Sequence, residues 1–360
     1  MLKKSLNFVI GACSLLFMVN HASASQNDWT AYGARPLAMG NAFVSIADDY
    51  NALLYNPAGI ARLKEWDGEL IQATLFVGAN TMGSADELVK LGGDPQLSKI
   101  LEFFESNAGE PQHVGVNITP HLIFKNFGFG LSISSQTTIT THNDIDVEFQ
   151  SKNEILLPIV YAHNFLGERL SVGATLKPRM LVSIDQSFNA ETVSDADNAK
   201  DVAKAGAGIG FDAGILFTPV KKMEPTLGIS ITDIGGTSFK EQGSDGTGKP
   251  SSIISSVNTG FSLKPIQSPT QYLSVSVEAH SINQKIHYSK KFHVGAEWGY
   301  RSVLKVQTGL KDGYLTGGFQ VDVGLLNLAF STYVEDYGPI SGLNDKLVDR
   351  RYALKLKLFI

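Results

Sequence analysis

From Trp66 onward, apolar residues alternate with small or polar residues along most of the chain. In FHVGAEWGY, residues 292–300, every second side chain is apolar, and the side chains between them are histidine, glutamate or glycine. The same period of two recurs in residues 128–133, 169–177, 271–280, 317–324, 326–334 and 352–360. This is the period of a β-strand with one apolar face. The pattern therefore predicts an all-β fold.

Such strands belong either to a soluble sandwich, with apolar faces turned inward, or to a membrane barrel, whose apolar faces meet lipid. Several predicted strands have about ten residues or more, the length that crosses a bilayer. The stripe from Tyr352 to Ile360 would also be an aggregation hazard as a bare edge in water. Aromatic residues cluster near strand ends, as in the interfacial girdles of membrane barrels: Trp66, Phe127, Tyr161, Phe165, Phe217, Tyr272, Trp298, Tyr300 and Tyr352. We therefore predict a transmembrane antiparallel β-barrel over residues 66–360.

About 14 strands are predicted, an even number, as in bacterial single-chain barrels. If the first strand rises from the periplasm, the short connections are periplasmic and the long ones, such as 79–110, are extracellular. Apolar residues recur at helical spacing between residues 84 and 109, which predicts a helical extracellular loop with a second helix restarting at Asp94-Pro95. The predicted strands cover residues 66–78, 111–124, 128–140, 145–164, 168–189, 205–217, 225–235, 251–264, 270–283, 289–300, 302–311, 314–323, 326–335 and 348–360.

Residues 1–24 have the three parts of an export signal. Two lysines open the segment, residues 6–19 are apolar, and Ala22-Ser23-Ala24 is a small-residue cleavage site. A lipoprotein signal at Cys13 is the alternative, which the short apolar stretch before that cysteine disfavours. Since the segment holds two lysines and no acidic residue, cleavage after Ala24 changes the formal net charge from −5 to −7 and removes the only cysteine.

Composition narrows the possible functions. A mildly acidic chain without a basic cluster argues against a nucleic-acid partner. Without cysteine there is no disulfide and no cysteine-ligated metal. His142 and His163 stand at no recognisable catalytic spacing from a serine or an acid, and the GAGIG stretch at 206–210 continues as a strand rather than a helix. We therefore predict no enzyme, no cofactor and no metal site.

Residues 25–65 precede the first strand and include the apolar stretch IADDYNALLYNPAGIARL, residues 46–63. A barrel of this size is wider than the eight-stranded size whose interior side chains can fill. We therefore place the segment inside the lumen as a helical plug, in preference to a cap outside the barrel. The sequence predicts a helix over 37–47 after Pro36, a new turn at Asp48-Asp49, and a helix break at Asn56-Pro57.

Residues 34–63 resemble the N-terminal hatch of the FadL/TodX-type outer-membrane transporters of hydrophobic compounds. The matching elements are Gly40 after Met39, the turn at Asp48 and Asp49, and the motif Asn56-Pro57-Ala58-Gly59. The resemblance implies a plug inside a 14-stranded barrel. It also implies that a hydrophobic molecule diffuses in, that the plug rearranges, and that the molecule leaves sideways through a gap in the wall.

A gap in the wall requires a strand that bends away from its neighbour, which proline or glycine within a strand allows. The sequence offers five candidates for this strand kink or lateral gate and does not select among them: Pro120, Gly128, Gly130, Pro158 and Pro178.

Several charged side chains are predicted to face the lumen: Lys355, Lys357, Glu297, His280 and Lys305. The last strand closes onto the first, so we expect Lys355 and Lys357 near Glu69. These groups either bind the carboxylate headgroup of a ligand or form an electrostatic network that fills the lumen and holds the plug. The network is favoured because polar groups are routine in barrel lumens.

Taken together, the sequence predicts an outer-membrane channel of a Gram-negative bacterium for passive uptake of hydrophobic small molecules, with long-chain fatty acids first among them. The expected partners are outer-membrane lipid, the hydrophobic ligand and the barrel-assembly machinery. The last strand would engage that machinery, although it ends in Ile360 rather than an aromatic residue. The alternative is a FadL-like structural or secretion-partner barrel with a sealed lumen.

Overall fold

The structure is a computed structural model that describes residues 33–64, 66–93, 102–103, 106–141, 147–188, 203–242, 248–301, 303–324, 326–337 and 348–358. The predicted export signal and most of the predicted helix after Asp94-Pro95 lie outside the described residues.

Fourteen antiparallel strands form one closed barrel, as predicted. Each strand pairs with its neighbours along the chain, and β14 closes onto β1 from Arg351↔Gly78 to Leu358↔Ile71. The strands are β1 (Asp67–Glu69 and Ile71–Gly78), β2 (Gln112–Ile118 and His121–Phe124), β3 (Phe127–Gly130 and Ser132–Thr141), β4 (Val147–Leu156 and Ile159–Phe165), β5 (Leu170–Phe188), β6 (Lys204–Phe217), β7 (Thr226–Thr232 and Phe239–Glu241), β8 (Ser256–Gln267), β9 (Gln271–Ala279), β10 (Phe292–Tyr300), β11 (Leu304–Lys311), β12 (Tyr314–Val323), β13 (Leu326–Asp336) and β14 (Val348–Leu358).

The two ends of the barrel differ in the length of their connections. The lower rim carries short connections such as 125–126 and 166–169. The upper rim carries longer ones, and the connection that follows β1 begins with helices α3 (Ala79–Gly83) and α4 (Ala85–Gly93). Helices α1 and α2 belong to the segment before β1. No helix among the described residues is both long and apolar enough to cross a membrane.

The two faces of the wall show the inside-out pattern of a membrane barrel. On β14, Leu354 and Leu356 are 45% and 44% exposed, whereas Lys355 and Lys357 are 4% and 8% exposed. Charged residues are therefore buried in the lumen while leucines cover the outside, the reverse of a soluble protein.

One prediction about the wall is wrong, and one strand ends earlier than predicted. Tyr272 belongs to no outer girdle, because it lies on the lumenal face of β9 and its hydroxyl donates to Glu297 at 2.7 Å. The predicted strand over 225–235 ends at Thr232. There Asp233 is buried, and its backbone N–H donates to the Asp212 side chain at 2.8 Å, which turns the chain into the lumen before Phe239–Glu241 resumes pairing with β6.

Candidate functional site: the plug and the lumen wall

Residues 33–62 lie inside the barrel and are almost entirely buried. They form helix α1 (Ala34–Ala38), helix α2 (Ala52–Tyr55) and a 3₁₀ helix, Pro57–Arg62. We call residues 33–64 the plug. Its apolar side chains, including Phe43, Leu53 and Tyr55, pack with wall residues such as Leu156 and Leu216 into one apolar cluster.

The predicted helix over 37–47 is wrong, because α1 ends at Ala38. Gly40 and Asn41 then adopt positive φ angles of 64° and 65°, which end helical geometry. A side chain at Gly40 would meet backbone atoms of Leu310 and Val294 at 2.5 and 2.6 Å. The contact with the wall, rather than local helix propensity, sets the path of the chain here.

Asn56 ends helix α2, as predicted, and its side chain also links the plug to the wall. Its backbone is extended, at φ −156° and ψ 104°, and its Oδ1 accepts the Ala58 N–H at 3.1 Å to cap the 3₁₀ helix. Its Nδ2 donates to the carbonyl of Val44 at 2.9 Å and, at 3.3 and 3.4 Å, to two strand carbonyls, those of Ile215 and Ile229. One amide therefore holds two parts of the plug and two strands together.

Glycines on the lumenal face let the plug backbone reach the wall. A Cβ atom at Gly173 would lie 2.5 Å from the backbone of Pro57, and one at Gly228 would lie 2.7 Å from Ser45. Gly128 and Gly130, predicted as strand kinks, face Leu53 at 3.0 and 3.2 Å in the same way. They act in the structure as packing positions under the plug, whereas β3 is interrupted next to them, at Leu131.

Arg35 is the main charged link between plug and wall. Its Nε and Nη2 donate to the two carboxylate oxygens of Glu297, both at 2.7 Å, and its Nη1 donates to Asp48 and Asp49, also at 2.7 Å. Glu297 accepts further bonds from Tyr272 and from Gln307, the latter at 3.0 Å. A bidentate, buried pair of this kind has the strong geometry of charge-assisted hydrogen bonds.

The charges of this cluster stabilise one another. Burial alone would lower the pKa of Arg35, but Asp48, Glu297 and Asp49 outweigh burial and raise the pKa well above its ordinary value. Burial alone would raise the pKa of Asp48, but the Arg35 guanidinium outweighs it and lowers that pKa. Both groups are therefore charged at neutral pH.

A second carboxylate holds the middle of the plug. Glu278 accepts the backbone N–H groups of Val44 and Ser45 at 2.9 and 2.8 Å, together with a bond to His280 at 2.9 Å. His280 stacks on His293, and Nδ1 of His293 donates to the carbonyl of Gly40 at 2.7 Å. Donation is required here because a carbonyl oxygen only accepts.

The structure does not bring the five predicted lumen residues into one site. Glu297 belongs to the Arg35 cluster and His280 to the Glu278 cluster. Lys355 lies over the Tyr50 ring at 5.4 Å, and Lys305 is partly exposed on β11. The expected proximity of Lys357 to Glu69 is found, as an ion pair.

Three candidate gate prolines lie in one transverse row on β2, β4 and β5. The strand register is continuous on both sides of this row, and the carbonyl of each proline accepts a backbone bond of 2.9–3.0 Å across it. The donors are Leu131 to Pro120, Gly130 to Pro158 and Leu157 to Pro178. Each proline lacks the N–H that would return a bond, so the row is closed but has fewer hydrogen bonds than the wall around it.

Two sets of charged residues in the lumen were not predicted from the sequence. Arg35 is the only charged residue between Gly33 and Ala47, a signal that could have marked it. Lys177 pairs with Asp212 at 2.7 Å and with Asp233 at 3.0 Å across three strands, and only the folded barrel brings these residues together.

A cavity of about 300 Å³ at the upper rim is lined mainly by polar residues, including Asn80, Glu87 and Asn107.

Comparisons with known proteins identify the fold. A scan against models of protein families finds no match, and a search of curated proteins finds no relative. Among solved structures, the chain is similar to the CymD monoaromatic hydrocarbon channel, with a TM-score of 0.56, 12% identity, and coverage of 91% of this chain and 99% of that one. It is also similar to the Pseudomonas putida toluene transporter TodX, with a TM-score of 0.53, 12% identity, and coverage of 91% and 96%.

A Pseudomonas aeruginosa FadL homologue is similar as well, with a TM-score of 0.50, 12% identity, and coverage of 90% and 97% of the two chains. The chain therefore has the fold of the FadL/TodX barrels over nearly its whole length.

Proposed function

We propose that the chain is an outer-membrane channel for passive uptake of hydrophobic small molecules and that the structure is its closed state. The observation that carries the proposal is a lumen filled by a plug whose links to the wall are side-chain hydrogen bonds and ion pairs, centred on Arg35 and Asn56. Such links can break and re-form without unfolding the barrel. Similarity of fold to hydrocarbon channels and to a FadL homologue supports the proposal.

The proposed route begins at the upper rim, taken as the extracellular side, and passes the plug. An apolar ligand gains about 25 cal/mol for each Å² of surface that it buries, so a channel must release it into another apolar phase. Exit through the wall at the proline row of Pro120, Pro158 and Pro178 would deliver the ligand directly to lipid. The missing N–H donors leave fewer bonds to break at this row than in a fully paired stretch of the wall.

Long-chain fatty acids are the first substrates that we propose, with monoaromatic hydrocarbons as the second class. The first follows from the resemblance of the plug motif, and the second from the similarity of fold to a monoaromatic hydrocarbon channel and a toluene transporter. Buried lysines such as Lys355 offer a cation for a carboxylate, whereas a hydrocarbon needs none. Residues 1–24 would act as a cleaved export signal, and β14 would engage the assembly machinery of a Gram-negative bacterium.

A sealed structural or secretion-partner barrel is the second candidate. The many polar and charged side chains that are buried in the lumen around the plug favour this candidate. In that case Arg35 and Asn56 would hold the plug permanently, and the barrel would serve a protein partner.

Uptake decides between the two candidates. Cells that lack their own importers would express the wild-type chain, the double variant Asn56→Ala/Pro57→Ala, or a control variant, Lys221→Met, which changes an exposed lysine at the lower rim. Labelled oleate and labelled toluene would be supplied separately. A channel gives uptake that the plug variant changes and the control leaves unchanged, and the better substrate names the class. Correctly inserted wild-type protein that takes up neither compound would contradict the channel.

A further inference from the structure

Three ligand-type side chains meet at the lower end of β1 and β2. Asp67 and Glu69 alternate along β1 and so lie on one face, and His121 is directly opposite Glu69 in the strand register. One oxygen of each carboxylate and one ring nitrogen of His121 all lie within 4.8 Å of one another. The proposed transport does not use this cluster.

The histidine is oriented as metal-binding histidines are. Its Nδ1 lies 3.1 Å from the backbone carbonyl of Thr119, and because a carbonyl only accepts, Nδ1 carries the proton. In the neutral ring, Nε2 then has the lone pair that a metal ion would use. Donation from one ring nitrogen to a carbonyl fixes the tautomer and direction of a metal-ligating ring.

Nε2 of His121 faces both carboxylates but lies beyond hydrogen-bond distance from each. His121 is 2% exposed, and its Nε2 is a buried atom without a hydrogen-bond partner, as is Oε2 of Glu69. Nε2 lies 3.7 Å from Asp67 and 3.9 Å from Glu69. Ligands about 2.0–2.2 Å from a tetrahedral zinc ion are roughly 3.3–3.6 Å apart, so the distances from Nε2 to the two carboxylates are a few tenths of an ångström longer than a zinc site requires.

The surroundings leave room for a fourth ligand. Asp67 is partly exposed at the lower rim, so water can reach the open side. On its other face the His121 ring stacks on Tyr50 of the plug, with ring centroids 4.7 Å apart and planes at 13°. An ion bound here would therefore join β1 and β2 beneath a plug residue.

Lys357 now supplies the positive charge at this place. Its Nζ is ion-paired with Glu69 and lies 4.0 Å from Asp67. A metal ion must compete with this ammonium for the two carboxylates. Lys357 should therefore weaken metal binding, whereas His121 should be required for it.

We propose that Asp67, Glu69 and His121 form a binding site for a divalent transition-metal ion, with Zn²⁺ preferred, in competition with the Lys357 ammonium. One imidazole, two carboxylates and a water make a donor set that suits zinc and cobalt better than calcium or magnesium, which prefer oxygen ligands alone.

The test uses untagged full-length protein, folded in detergent, with Zn²⁺ as the probe in competition with a chromophoric chelator. Wild type should bind one ion. Loss of a residue that only hydrogen-bonds to a metal ligand lowers metal affinity roughly 10–100-fold. His121→Gln removes a ligand itself and should lower the affinity for Zn²⁺ by more than that. Lys357→Met should bind Zn²⁺ at least about fivefold more tightly, because it removes one unit charge about 4 Å from the site. His163→Gln, at an exposed histidine on β4, is the matched control and should bind like wild type.

Co²⁺ gives an independent readout that a structural role of His121 would not produce. Wild type and Lys357→Met should show the visible absorption of a four-coordinate site, and His121→Gln should not. Heat-modified migration of each variant on a gel would show that it is folded. Absence of binding by the folded wild type, or equal affinity in folded His121→Gln, would overturn the proposal and identify the cluster as an ion-pair network only.

Discussion

Arg35 of the plug and Glu297 of β10 face each other in a bidentate ion pair, with both N–O distances at 2.7 Å and both side chains almost completely buried. The pair connects residues separated by 262 positions in the chain. Because Arg35 also binds Asp48 and Asp49, one guanidinium determines how two turns of the plug are held against the wall.

Removal of Arg35 should release the plug. Loss of one partner from a buried ion pair costs about 3–5 kcal/mol, since it leaves an uncompensated charge. We therefore expect Arg35→Met to lower the thermal midpoint of plug release and to raise single-channel conductance in planar bilayers, because an unplugged 14-stranded barrel is a water channel.

Two further variants show whether the effect belongs to the pair. The double variant Arg35→Met/Glu297→Gln should recover part of the lost stability, because it no longer leaves Glu297 unpaired. Lys221→Met changes an exposed lysine at the lower rim and should alter the free energy of unfolding by no more than about 0.5 kcal/mol. Equal conductance of Arg35→Met and wild type would show that the pair does not hold the plug.

Lumenal glycines should be required where the plug backbone approaches them. Gly173→Ala and Gly214→Ala place a methyl group against Pro57 and Asn56, and we expect each to lower the melting temperature and raise basal conductance. Gly317→Ala is the matched control, because the nearest atom to its added Cβ is 3.5 Å away. Differential scanning fluorimetry and bilayer recording would compare the three variants. A similar decrease in the melting temperature of Gly317→Ala would show that the strands, and not the contact with the plug, require glycine.

The barrel could be predicted from the sequence because period-two alternation survives in nearly every strand. Residues 292–300 show why: side-chain direction follows directly from position along a strand. The helix break at Asn56-Pro57 could be predicted as well, because a residue before proline avoids helical geometry.

The path of the plug between Ala38 and Asn51 could not be predicted in this way. Local pattern favours a helix there, but contacts with distant strands, such as Gly40 against Leu310 and Glu278 on the Ser45 N–H, determine the backbone. The cluster of Asp67, Glu69 and His121 has the same origin, because no sequence motif places a histidine 52 positions beyond Glu69 opposite it.

The proline row should control exit from the barrel. Replacement of Pro158 or Pro178 by alanine supplies a backbone N–H where none exists, which should strengthen the wall and reduce uptake of the better substrate without loss of folded protein. Pro265→Ala, within β8 and outside the row, is the matched control.

A cross-link tests the same wall directly. Cysteines at Ile133 and Ile155, which are paired across β3 and β4 next to the row, would be joined by oxidation. Uptake should fall on cross-linking and recover on reduction. Unchanged uptake in a fully cross-linked sample would exclude exit between these strands.

Acid should weaken the plug only at low pH. Burial raises the pKa of Asp48, but the Arg35 guanidinium outweighs burial and holds that pKa below its ordinary value in the folded chain. A group with a lowered folded pKa contributes stability above its unfolded pKa and loses that contribution as the pH falls through the folded value. The difference in melting temperature between wild type and Asp48→Asn should therefore stay constant from about pH 7 to pH 5 and shrink below about pH 4. Scanning fluorimetry of both proteins across this range measures the difference, and a decrease already at pH 6 would show that Asp48 is not held ionised by Arg35.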